Sequence, residues 1–75
     1  MKKEFIVSYA PGWCNIAAAS IDKNMKEMYE FATNRHKIEG KTILPYNNQF
    51  WGSVMAENSK EAFDIFCERF KKEWP

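Results

Sequence analysis

Ile43-Leu44-Pro45-Tyr46-Asn47-Asn48-Gln49-Phe50-Trp51-Gly52-Ser53-Val54-Met55-Ala56-Glu57 decides the fold. Two runs of aliphatic and aromatic residues flank a pair of asparagines. Asn tolerates the left-handed backbone that both central positions of a type I′ turn require, so the stretch reads as a β-hairpin. The first strand covers residues 41–46 and its partner residues 49–57. Pro45 has no N–H to give to a ladder, so the first strand belongs at a sheet edge or at a bend. Directly downstream, Asn58-Ser59-Lys60-Glu61 resembles a capping box. Phe63, Phe66, Phe70 and Trp74 then recur at helical spacing, which places a helix over residues 59–73. Cys67 lies on that apolar stripe, where a free thiol behaves as a small hydrophobe. Ile65 falls off it.

The first half of the chain repeats this grammar. Ile6-Val7-Ser8-Tyr9 leads to Trp13 as Ile43-Leu44-Pro45-Tyr46 leads to Trp51. In each half the helical stripe begins twelve residues after the tryptophan: Met25, Met28, Tyr29 and Ala32 in one, Phe63, Phe66, Cys67 and Phe70 in the other. Residues 4–10 read as a strand and Pro11-Gly12 as a turn. Asp22 is the expected N-cap of a helix running to about His36, with Phe31 outside its stripe. Asn34 and Gly40 are the expected exit residues.

Residues 14–21 admit two readings. Ala17-Ala18-Ala19 favours helix on propensity, whereas correspondence with the second half favours a return strand. The strand reading gives a single α+β domain of two ββα units, residues 4–36 and 41–74. Its expected form is a four-stranded antiparallel sheet with both helices on one face. The helix reading gives βαββα instead.

Composition narrows the function classes. Eleven Lys and Arg stand against ten Asp and Glu, for a formal charge of +1. A protein held by nucleic-acid phosphates carries a clear basic excess, so nucleic acid is not the expected partner. No apolar run approaches the length of a membrane span, and the start of the chain does not read as a signal peptide. Cys14 and Cys67 form no CxxC motif and do not make a disulfide framework. The expected setting is therefore a reducing cytoplasm. Three Trp, six Phe and three Tyr supply the core-forming area that a short chain needs.

Catalytic chemistry finds little to work with. His36 is the only histidine, which removes any multi-histidine metal site. Cys14 with His36 is the sole nucleophile pair, and nothing in the spacing joins them. Four metal ligands cannot be drawn from two cysteines and one histidine. The carboxylate pairs Glu27/Glu30 and Asp64/Glu68 sit among lysines and arginines and read as solvated helix surface. No glycine-rich phosphate loop occurs. No catalytic residue, metal or cofactor is expected.

The aromatic and aliphatic surplus points elsewhere. Strand residues Phe5, Val7 and Tyr9 alternate with an equally apolar Ile6. Trp51 and Met55 oppose Phe50 and Val54. A sheet covered on one face only would leave an apolar patch open, and such patches mark interfaces or ligand grooves. The expected surface comprises Trp13, Trp51, Met55 and Ile6, with the sideways-pointing Phe31 and Ile65. The expected function is a non-catalytic protein–protein interaction module: a regulator or inhibitor of a protein partner, of the kind carried by phages and mobile elements, or a homodimer. Two alternatives share these residues. One is single-stranded nucleic-acid binding through the sheet aromatics flanked by lysines. The other is a small-molecule site at a dimer interface near Trp13 and Trp51.

Overall fold

The strand Lys3–Ala10 (β1) pairs antiparallel with the strand Gln49–Ala56 (β4), from Lys3 opposite Ala56 to Tyr9 opposite Phe50. The computed structural model in which this is seen describes residues 1–10, 16–20 and 22–74. Strand Ile16–Ser20 (β2) lies antiparallel along the other side of β1, and strand Leu44–Tyr46 (β3) along the other side of β4. The sheet order is β2-β1-β4-β3. Helix Lys23–His36 (α1) joins β2 to β3, and helix Ser59–Glu73 (α2) follows β4. The α+β class expected from the sequence is the class of the structure. The Pro11-Gly12 turn, Trp13 and Cys14 lie outside the described residues.

Local chemistry sets the element ends. Asn47 and Asn48 have φ of 55° and 62°, the left-handed pair of a two-residue hairpin turn. The Asp22 side chain accepts from the Asn24 amide at 2.7 Å, and the Asn58 side chain accepts from the Glu61 amide at 2.8 Å, so each helix has a side-chain cap. Strand β3 is shorter than the residues 41–46 read from the sequence. Residues 41–43 leave the ladder and turn instead towards the end of α2.

The expectation of two helices on one face is wrong. Partners opposed across antiparallel strands point to the same face, and neighbours along a strand to opposite faces. Phe5, Val7, Tyr9, Phe50, Gly52 and Val54 therefore share one face. That face meets α2: Tyr9 lies edge-on to Phe63, Phe66 and Phe70, and Phe50 to Phe70. Glu4, Ile6, Trp51, Leu44 and Tyr46 share the other face. That face meets α1: Tyr46 packs on Phe31 and His36, and Glu4 pairs with Lys26 at 2.9 Å. The sheet is thus the middle of three layers. At the described residues its two-faced apolar content is explained by a helix on each side rather than by one open face.

Each face has its own buried cluster. Phe5, Val7, Ile43, Val54, Ala56, Ala62 and Phe66 form the core under α2. Ile6, Leu44 and Trp51 are buried on the α1 face, and Ala32 is the one buried residue of α1. Close approach of α2 depends on Gly52, where a Cβ would stand 2.9 Å from Cε2 of Phe66.

Candidate interaction surface

The residues singled out from the sequence do not converge. Ile6 is 1% exposed and Trp51 4%, so both are core, and the Trp51 indole donates to the Tyr46 carbonyl at 3.0 Å. Ile65 is half-buried at the margin of the α2 core. Met55 is 55% exposed and Phe31 44%. Trp13 lies outside the described residues. Of the six, Phe31 and Met55 remain as large apolar side chains open to solvent.

Around Phe31 the fold builds a cluster. Phe31 and Arg35 are one helical turn apart on α1, and the Arg35 guanidinium lies 5.2 Å from the centroid of the Phe31 ring. Tyr46, at the end of edge strand β3, stands 5.3 Å from Phe31 and 5.4 Å from the His36 ring, centroid to centroid. The I′ turn begins directly after Tyr46, which holds this residue at the sheet margin under the last turn of α1. Arg35 and His36 are both exposed there, and the Arg35 cation opposes the partial negative charge of the helix C-terminus. Ile38, just past the helix, is 39% exposed. An aromatic pair and two basic side chains thus line one corner of the molecule.

Phe31 was legible in the sequence, but its partners were not. The Phe31–Arg35 spacing of one turn is the signal that could have found Arg35. The approach of Tyr46 depends on β3 lying beneath α1, which no local pattern encodes.

A second polar constellation ties α2 to the segment before β3. The Glu73 carboxylate accepts from the Thr42 amide at 2.8 Å, the Ile43 amide at 3.0 Å and the Thr42 hydroxyl at 2.6 Å. The Lys41 ammonium donates to the Glu73 carbonyl and lies 4.8 Å from the Trp74 ring centroid. Trp74 Nε1 donates to the Ile43 carbonyl at 3.1 Å. Burial alone would raise the Glu73 carboxyl. The Thr42 and Ile43 hydrogen bonds, with the Arg69 charge, outweigh it and hold the group below its ordinary value. These contacts are spent on joining elements, and the carboxylate's donors are already in place.

Partial burial, with Asp64 and Glu68 nearby, pushes the Cys67 thiol up, away from the thiolate that nucleophilic chemistry needs. Of the Cys14–His36 pair, Cys14 lies outside the described residues and His36 packs on Tyr46. Among the described residues no three His, Cys, Asp or Glu side chains come close enough to hold a metal ion. No described helix is long and apolar enough to cross a membrane. Compared with known proteins, the chain matches no protein-family model, no curated protein and no solved structure.

Proposed function

We propose that the protein is a non-catalytic interaction module that regulates or inhibits a protein partner, and that it meets that partner through the corner formed by Phe31, Arg35, His36 and Tyr46. The observation that carries this reading is the exposed Phe31 ring, held between Tyr46 and Arg35 rather than folded into the core. Tyr, Phe and Arg are the side chains enriched where protein interfaces concentrate their energy. A ring fixed by two neighbours also loses little rotamer freedom on binding. The proposal places the protein in the cytoplasm, in a regulatory role of the phage or mobile-element kind, and takes residues 4–36 and 41–74 as two ββα units.

Of the alternatives, nucleic-acid stacking on the sheet has less support. Tyr9 and Phe50 are occupied by the aromatic side chains of α2. The small-molecule reading drew on Trp13, which lies outside the described residues, and on Trp51, which is core.

Affinity capture from the host, comparing the wild type with Phe31→Ala, tests the proposal. A partner retained by the wild type should bind the variant at least about tenfold more weakly, as a central anchor requires. Thermal unfolding of the two proteins should stay close. A partner held equally by Phe31→Ala and by Arg35→Ala would remove this corner as the site. A bound fraction consisting of nucleic acid that is released by salt would replace the reading altogether.

A further inference from the structure

Several cations of this protein are already spent inside it. Lys26 pairs with Glu4 at 2.9 Å and Lys71 with Glu68 at 3.7 Å. Arg69 donates to the Ser53 carbonyl at 3.1 Å, and Lys41 to the Glu73 carbonyl. Arg35 differs. Its helical neighbours one turn back are Phe31 and Ala32, neither of them charged. Glu39, the nearest carboxylate along the chain, lies past the end of α1 and does not pair with it. Arg35 therefore stands exposed against the Phe31 ring with no carboxylate and no hydrogen-bond acceptor among the described residues. Lys37, also exposed, follows at the helix C-cap.

We infer, resting on the proposal that this corner is the interaction site, that its occupant is an acidic segment of a protein partner. A carboxylate of that segment meets Arg35, and an adjacent apolar side chain covers the Phe31 ring. A guanidinium carries its N–H donors in a planar fork that matches a carboxylate. Contact with the Phe31 ring holds this fork near one place, so little freedom is lost when the carboxylate arrives. The partial negative charge of the helix end would repel an anion, and Arg35 with Lys37 outweighs it. The half-exposed ring beside the cation then decides between anions. A nucleic acid is held by several phosphate contacts along a basic track. Here Arg35 and Lys37 stand at the end of one helix, beside an apolar ring, on a protein of formal charge +1. A peptide with an apolar side chain next to an acid satisfies both the cation and the ring.

Chemical-shift titration of the intact chain with two blocked peptides tests it. One peptide alternates leucine and glutamate; the other has glutamine in place of every glutamate. The acidic peptide is expected to move the amide signals of Phe31, Arg35 and Tyr46. It should bind at least about threefold more tightly than the glutamine peptide, and its affinity should fall as salt rises. Arg35→Glu should remove that preference while leaving the affinity for the glutamine peptide unchanged. If Arg35→Glu does not fold, the two peptides on the wild type decide alone. Equal affinity for both peptides overturns the inference and leaves the corner standing as an apolar site. Signals that move elsewhere on the protein, or none that move at millimolar peptide, overturn it as well. So does a single-stranded oligonucleotide that moves the same signals and binds more tightly than the acidic peptide. The corner itself is judged by partner capture with Phe31→Ala. A partner lost there but held undiminished by Arg35→Glu removes the acidic segment alone.

Discussion

Single residues show how far position outweighs type. Gly52 has the same composition value as any glycine, yet its missing side chain sets the distance between β4 and α2. The Phe66 ring stands where a methyl group would be, with a Cβ approach of 2.9 Å to Cε2 and 3.1 Å to Cδ2. Gly52→Ala should therefore destabilise the protein by about 1–3 kcal/mol, because Phe66 is fully buried and must leave its rotamer or push α2 outward. Chemical denaturation of the two proteins measures it, and an unchanged midpoint would show that α2 yields without cost. Asn47 and Asn48 stand at the other extreme. Their left-handed backbone follows directly from residue type, and it was readable before any fold was known.

Elements are joined by side chains that the sequence marks only as surface. Glu73 sits in the last turn of α2, where a carboxylate opposes the helix dipole and gains nothing locally. Its place is explained by three donors from Thr42 and Ile43, which arrive because β3 is cut short and the chain bends back. Since the folded state holds this carboxyl below its ordinary value of 4.5, it contributes stability that is fully present above that value. The contribution is lost as pH falls through the lower folded-state value. Glu73→Gln should thus lower stability at neutral pH by about 1 kcal/mol, a figure held down by solvent around a partly exposed group. The difference between variant and wild type should shrink as pH is lowered below 4.5. Thermal unfolding across that range checks the sign, and a gap that widens in acid would contradict it. Glu4 follows the same rule, held down by hydrogen bonds from Lys26 and Ser53. It ties α1 to β1 and β4 as Glu73 ties α2 to β3.

For the whole molecule, three layers replace the two expected, and this changes what several residues are for. Ile6 and Trp51 broke the inside–outside alternation because both faces of the sheet are inside. Trp51→Ala is consequently a core deletion. It should cost about 3–5 kcal/mol, a large share of the roughly 4–11 kcal/mol available to a chain of this length. Phe31→Ala should cost well under about 1 kcal/mol, as a half-exposed side chain does. Denaturant midpoints of the pair separate a residue that holds the fold from one that faces outward. Equal losses would mean that the Phe31 corner is structural.

The sequence alone determined the local outcomes: a hairpin at Asn47-Asn48, helix starts at Asp22 and Asn58, an apolar stripe on α2, and an α+β class. Each follows from the conformational preferences and periodicity of neighbouring residues, which act over a few positions of chain. Tertiary structure decided the rest. It sent α1 and α2 to opposite faces, drew Trp51 into the core, and brought Tyr46 to Phe31 and Thr42 to Glu73. Those outcomes depend on which faces need covering once the sheet has formed. Packing settles that between residues far apart in the chain, where periodicity carries no information.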